Sequence, residues 1–420
     1  MKILHVCSNY YPAYGGPQYT MKHLSENMGA MFGDNVEIAT SNSLYGPEMP
    51  LFKAIEPAIE NINGVMVHRF PFNRWHYPFL NFAGRGYKKI FHKTLPHKFY
   101  KYRWELDCKG IDNMMAESDA DVIMATTANY MFCDYPLWRF KNRKAKPFVL
   151  YGALHLHINW PKNSPVINRS NICDCYIANT EYERVSMIGY GVAEDKIVTI
   201  GTGINPDEYK GSDEEVKAFR NKYGIKENDL LIAHIGRLSA GKGAGVLLDA
   251  FIDVYKKNKH VKLLLAGTST DFVPELQETI MQQQLPVILL EDFDNAVKPL
   301  LFNATDIFVL ASKGESFGVV FLEAWACKKP VIGVGTGAVA SLITEHKDGL
   351  LFTAGNKDVL AQKIAILVND EEKRRAFGIN GFNKIINQYT WPVITKKYRD
   401  AYLLGIEHFK RMVKDKMNVN

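Results

Sequence analysis

Short apolar runs, each closed by a polar or glycine-containing turn, recur along the chain. Residues 3–7, 36–40, 65–69, 121–125, 148–151 and 174–178 are such runs, too short for helices, and they predict strands. Residues 19–31 instead place Met21, Leu24, Met28 and Met31 at helical spacing. Strand, glycine loop and helix in that order form the first unit of a doubly wound sheet. Gly, Pro and Asn concentrate in residues 201–209 and charge in 211–220, a composition shift that marks a domain boundary. A second series starts at Leu230, with strands predicted at 262–266, 287–290, 306–310, 331–334 and 349–352. Helices follow over 357–388, and a last one over about 393–412, beyond Trp391-Pro392. Parallel sheets bind ligands at the carboxyl ends of their strands. In the first half those ends carry Gly15, Thr126, His155 and Asn179.

A chain of 420 residues exceeds the size at which one core keeps growing, so two domains are expected. The net charge of +6 is spread over both halves and no nucleic-acid signature is present, which argues against a nucleic-acid partner. The six cysteines are scattered, and Cys173-Asp-Cys175 lacks the second pair a zinc site needs. Buried free thiols in a reducing cytoplasm are expected. Met1-Lys2 runs straight into a strand, and no apolar run reaches the ~18 residues that span a bilayer. The expected location is therefore cytoplasmic, in solution or on the cytoplasmic face of a membrane. One stretch favours the membrane: from 61 to 104 there is no Asp or Glu, while Arg69, Arg74, Arg85, Lys88, Lys89, Lys93, Lys98, Lys101 and Arg103 alternate with Trp, Tyr and Phe. An anionic membrane surface attracts that mixture; aromatics packed inward beneath solvated cations would read the same way.

Candidate chemistry concentrates in residues 311–330, A-S-K-G-E-S-F-G-V-V-F-L-E-A-W-A-C-K-K-P. A helix beginning near Ser316 would put Glu315 and Glu323 roughly on one side, two turns apart. The amides of Phe317, Gly318 and Val319 would then form an anion site. Carboxylates for hydroxyls and amides for phosphate suit a phosphorylated sugar, although a solvated surface helix can carry the same spacing. Residues 236–242, G-R-L-S-A-G-K, follow the phosphate-binding P-loop until Gly243 stands where a Ser or Thr should hold magnesium, so an ATPase is not expected. Arg237 offers a planar fork to phosphate oxygens and Lys242 a compact charge; surface charges flanking a turn are the alternative. Gly15-Gly16 lets backbone approach a phosphate or simply makes a turn. It is not the G-x-G-x-x-G of dinucleotide binding, which weakens an NAD-dependent oxidoreductase. His155 and His157 lack a third metal ligand nearby.

The run E-S-F-G-V-V-F-L-E-A-W-A-C-K-K-P-V-I-G from Glu315 resembles the signature of the retaining GT-B glycosyltransferases of family four. G-R-x4-K-G at 236–243 and P-x-x-G-G at 12–16 are similar to further segments of that family. The resemblance covers most of the chain, strongest over 232–352 and weakest over 49–146. It implies an α/β fold of the GT-B kind: two facing Rossmann-like domains with a cleft between them, residues 1–205 on the acceptor side and 206–390 holding the nucleotide sugar. The last helix would cross back, so that 391–420 completes the first domain. It further implies that Glu315 contacts the donor sugar and Glu323 the ribose. Arg237 and Lys242 would bind the diphosphate, helped by the amides of Gly15-Gly16 and of Phe317, Gly318 and Val319. A histidine after the 148–151 strand would sit between donor and acceptor; His155 is nearer the usual offset than His157, and both come later than the pattern. Ala338, Ala340 and Ser341 replace the Gly, Pro and Glu of the family's G-G-x-P-E-x-I segment.

The implied reaction moves a hexose or similar sugar, with retention, from a UDP- or GDP-linked donor to a hydroxyl of a glycan or lipid-linked acceptor, with no cofactor and no metal. Residues 69–104 would supply contact with an anionic membrane. Rival expectations are a GT-B nucleotide-sugar epimerase, which needs no acceptor face, and a non-catalytic nucleotide-sugar-binding protein.

Overall fold

The structure, a computed structural model, describes residues 1–13, 15–44, 53–71, 77–91, 108–141, 144–156, 160–162 and 164–418. Two sheets organise them. The first contains β1 (Lys2–Cys7), β2 (Asn35–Ser41), β3 (Ile59–Ile62), β4 (Val65–Phe70), β5 (Val122–Thr126), β6 (Phe148–Tyr151), β7 (Cys175–Ala178) and β8 (Ile197–Thr199), in the order β3-β4-β2-β1-β5-β6-β7-β8. All neighbours are parallel except β3 and β4. The second contains β9 (Leu230–Ile235), β10 (Val261–Gly267), β11 (Val287–Glu291), β12 (Ile307–Leu310), β13 (Val331–Val334) and β14 (Gly349–Phe352), in the order β11-β10-β9-β12-β13-β14, parallel throughout. Every residue of β5, β6, β7, β12 and β13 is buried, as expected of parallel strands covered by helices on both faces. The short apolar runs follow from that double burial.

Strand order reverses at two places. In the first sheet β1 lies between β2 and β5; in the second β9 lies between β10 and β12. The connections leaving such a pair diverge to opposite faces and open a crevice at the carboxyl ends, the preferred ligand position in doubly wound sheets.

The last helix, Trp391–Asn418, takes Pro392 in its first turn, where a missing N–H costs nothing. Trp391-Pro392 thus opens this helix. It packs on the first sheet. Tyr398 donates to the Gly201 carbonyl at 3.1 Å, the Tyr402 hydroxyl lies 2.8 Å from His5 Nε2, and His408 Nδ1 donates to the Asp174 carbonyl at 3.0 Å. Gly405 faces Val149 and Cys175, and a Cβ there would come within 2.8 Å of the valine. The outward and return crossings run side by side, since Ile204 N donates to the Tyr389 carbonyl at 2.8 Å and Gly203 abuts the Trp391 ring.

The basic stretch divides. Arg69 is 2% exposed, ion-paired to Glu60 and donating to the carbonyls of Pro57 and Tyr11, so it belongs to the interior and not to a basic surface. The helix Tyr77–Phe91 does present one: Phe79, Phe82, Ile90 and Phe91 are exposed, as are Arg85 and Lys89. Arg74, Lys93, Lys98, Lys101 and Arg103 lie outside the described residues. Among the described residues no helix is long and apolar enough to cross a membrane.

Candidate active site

Both halves of the main candidate site stand on the β9/β12 crevice. Gly236 and Arg237 leave the end of β9; Ala311 to Glu315 leave the end of β12. The turn after β9 closes as a short 3-10 segment, Ala240–Lys242, capped by the Ser239 hydroxyl, which accepts from Lys242 N at 3.3 Å. The two loops are tied together where Lys313 N donates to the Gly241 carbonyl at 3.0 Å. Gly243 makes the close approach feasible. Its φ is +78°, and a Cβ would lie 2.0 Å from the Ala311 carbonyl oxygen. The glycine that breaks the P-loop pattern is therefore required by packing, and no hydroxyl for magnesium fits there.

Across this junction Lys242 Nζ lies 2.6 Å from Glu315 Oε1. The carboxylate is 10% exposed and the lysine 28%, so the pair is half-shielded yet reachable. Arg237 is exposed, and although its carbonyl accepts from Ser239 N at 3.0 Å, its guanidinium has no hydrogen bond or ion pair among the described residues. His234, buried on β9 just beneath, is pushed down to about 4, chiefly by burial, and is neutral at pH 7.

Glu315 does not share a helix with Glu323. The helix runs Val319–Ala326, with Gly318 as its N-cap at φ +97°. Ser316 is a favourable cap by type, but Phe317 is pulled under the inter-sheet crossing, where a Cβ on Gly201 would lie 2.7 Å from its ring. Glu315 therefore sits in the loop, and Glu323 in the helix, each with its own partners. With its ring buried, Phe317 can offer a ligand only its amide. Gly318 and Val319 offer the unpaired amides of a helix start.

Glu323, 5% exposed, accepts from Tyr209 Oη at 2.8 Å and from Lys298 Nζ at 2.6 and 2.8 Å. Neither partner is signalled in sequence, since Lys298 lies 25 residues before Glu323 and Tyr209 114 residues before it. Ser341, one of the departures from the family pattern, accepts from Tyr182 N at 3.2 Å and so contacts the helix that follows β7.

The other expected site residues belong to the first sheet. Gly15 caps the helix Gly16–Phe32 and Gly16 opens it, with open space where a Cβ would stand. One turn on, the Thr20 and Thr202 hydroxyls are 2.7 Å apart. Since Thr202 adjoins Gly201, which abuts Phe317, the same crossing segment contacts both helix starts.

His155 is exposed beyond β6, whereas His157 lies outside the described residues. A residue not singled out from sequence, Glu183, anchors its loop. The buried carboxylate accepts from Tyr176 Oη at 2.7 Å, Asn179 N at 2.9 Å and Leu154 N at 3.4 Å. Thr180 and Glu183 have capping-box spacing, and Thr180 does cap the helix Glu181–Gly189, but the glutamate turns outward to the neighbouring strand ends.

Burial raises the Glu183 carboxyl from 4.5 to about 7, against those three donors. Across that window the folded chain holds a proton that the unfolded chain has released. Stability therefore falls as pH rises from 4.5 to about 7 and is level above it. The window is worth about 3 kcal/mol at 1.36 kcal/mol per unit. Glu183→Gln is expected to remove that slope from the pH dependence of the unfolding free energy; an unchanged slope would assign it to another group.

Among the described residues no three His, Cys, Asp or Glu side chains cluster closely enough to hold a metal ion. Residues 14–208 match the family model Glycosyltransferase Family 4, and residues 215–384 match Glycosyl transferases group 1. An uncharacterized glycosyltransferase of Methanocaldococcus jannaschii is 28% identical over 226 residues, 53% of this chain and 57% of its own. The capsular polysaccharide biosynthesis glycosyltransferase CapM of Staphylococcus aureus is 26% identical over 213 residues, 50% and 56% of the two chains. The chain thus spans about half the length of the curated relatives it matches. In fold it is similar to Anabaena HepE, solved in complex with UDP and glucose, at 19% identity with a TM-score of 0.70 over 95% of this chain and 98% of that one. With a family model on each sheet and a whole-chain likeness in fold, the chain belongs to the GT-B glycosyltransferases of family four.

Proposed function

We propose that this protein transfers a sugar, with retention and without a metal, from a nucleoside-diphosphate sugar to an acceptor hydroxyl. The observation that carries the reading is the Lys242–Glu315 pair at the β9/β12 crevice, 2.6 Å apart with Arg237 exposed beside it. When the bond between the anomeric carbon and the diphosphate oxygen breaks, its electron pair goes to that oxygen. Arg237, Lys242 and the amides of Gly318 and Val319 stabilise the charge that develops there, with the amides of Gly15-Gly16 approaching from the first sheet. Glu315 orients the sugar through its hydroxyls and Glu323 holds the ribose. His155 positions sugar and acceptor. The acceptor oxygen bonds to the anomeric carbon from the face the diphosphate leaves, and its proton passes to a leaving phosphate oxygen. Trapping a glycosyl-enzyme would contradict this route.

The UDP complex of HepE makes UDP-sugars the first donors to try, with GDP-sugars next. A thermal-shift screen of UDP-, GDP- and ADP-sugars tests the reading. A donor at 100 times its dissociation constant stabilises by about 2.7 kcal/mol, and no shift with any of them would contradict a donor site.

The acceptor is a glycan or lipid-linked hydroxyl presented at an anionic membrane. Supporting this are the name of CapM and the helix Tyr77–Phe91, whose exposed Phe79, Phe82, Ile90 and Phe91 stand beside Arg85 and Lys89. Arg85→Ala with Lys89→Ala is expected to weaken binding to vesicles containing phosphatidylserine by about 1 kcal/mol per cation, about thirtyfold together. Equal binding by variant and wild type in a flotation assay would remove this face from the proposal.

A further inference from the structure

We propose that Lys298 binds the nucleotide ribose directly beside Glu323, and that Tyr209 is a positioning residue that holds the two in register. The proposal rests on the reading of Glu323 as the ribose carboxylate.

The lone pairs and protons of this cluster can be counted. Glu323 Oε1 accepts from both Tyr209 Oη, at 2.8 Å, and Lys298 Nζ, at 2.6 Å, so its two strong acceptor positions are filled. Oε2 accepts from Lys298 Nζ at 2.8 Å and keeps one position open. An ammonium has three protons; two point at the carboxylate, and the third has no partner among the described residues. What remains is one acceptor on Oε2 and one donor on Nζ, side by side. A cis-diol such as the ribose 2′,3′-hydroxyls complements that pair, one hydroxyl donating to Oε2 while the oxygen of the other accepts from Nζ. The lysine side chain is 23% exposed and the carboxylate 7%, so a ligand reaches Lys298 at least as readily as Glu323.

Tyr209 fixes which oxygen stays open. Its ring lies edge-on to Phe302 with centroids 6.2 Å apart, and its carbonyl accepts from Asn303 Nδ2 at 2.8 Å and from Cys327 Sγ at 3.5 Å. Burial first, and then Glu323, push its hydroxyl well above the usual tyrosine range, so it remains a donor. Without that hydroxyl, Oε1 regains an open position and the carboxylate can rotate away from the diol.

The test is equilibrium binding of UDP, GDP and ADP, and of their 2′,3′-dideoxy forms, to the full chain. In the Lys298→Met variant, the nucleotide that binds wild type is expected to weaken about tenfold, while its dideoxy form changes by less than about twofold. Where that variant fails to fold, Tyr209→Phe, which removes one hydroxyl, carries the test, with an expected loss of about threefold for the ribonucleotide alone. Equal weakening of both forms, or of neither, overturns the proposal, because a merely structural role does not distinguish ribose from dideoxyribose. If wild type itself is indifferent to the ribose hydroxyls, or binds none of the three nucleotides, the assignment of Glu323 to the ribose falls and the proposal falls with it.

Discussion

Glu315→Ala is expected to lower turnover by about 10²–10³-fold, the cost of removing a preorganised electrostatic contact from a transition state, while nucleoside-diphosphate affinity stays level or rises. The asymmetry follows from the ion pair. Glu315 holds Lys242 Nζ at 2.6 Å, so without the carboxylate the ammonium is wholly available to the diphosphate, whereas the sugar loses its orienting group. Single-turnover kinetics with the donor, beside nucleoside-diphosphate titration, separates the two effects. A parallel fall in both would mean that Glu315 serves nucleotide binding. Loss of neither would favour a nucleotide-sugar-binding protein without catalysis. A wild-type chain that converts donor alone into a new sugar nucleotide would favour an epimerase.

The second large effect belongs to Gly243. Gly243→Ser restores the hydroxyl of a P-loop on paper, yet it is expected to destabilise the chain by about 3 kcal/mol or more. A left-handed φ costs a side-chain-bearing residue roughly 1–2 kcal/mol, and relieving an overlap with backbone costs about 1–3 kcal/mol besides. Here the overlap is a Cβ 2.0 Å from the Ala311 carbonyl oxygen. Any relief separates the β9 loop from the β12 loop and carries Lys242 away from Glu315, so turnover should fall with stability, and no magnesium-dependent ATP binding should appear. Thermal unfolding together with ATP titration checks this; a variant as stable as wild type would show that the two loops can part without cost.

Much of this fold is legible in the sequence because parallel strands buried on both faces must be short apolar runs. β1, β2, β4, β5, β6, β7 and all of β9–β14 coincide with such runs to within a residue or two. The strands not foreseen are edges. β3, Ile59–Ile62, alternates exposed with half-buried positions, and β8, Ile197–Thr199, is three residues long with one fully buried. Neither carries the continuous apolar signal that central burial imposes.

Candidate site residues are legible where one segment supplies them, as in 236–243 and 315–323. They are not where distant segments converge, as with Lys298 and Tyr209 on Glu323. The helix starts at Val319 rather than near Ser316 for a tertiary reason. Local chemistry favours Ser316 as the cap, but burying Phe317 against Gly201 moves it to Gly318. Arg69 is a similar case: a cation in a basic stretch that the sheet turns inward to Glu60.

The most direct measurement is a crystal structure of the chain with an uncleaved UDP- or GDP-sugar. The account predicts that the diphosphate lies within hydrogen-bonding reach of the Arg237 guanidinium, Lys242 Nζ and the amides of Gly318 and Val319, with the sugar hydroxyls on Glu315. A diphosphate bound away from the β9/β12 crevice, with Arg237 and Lys242 untouched, would contradict it.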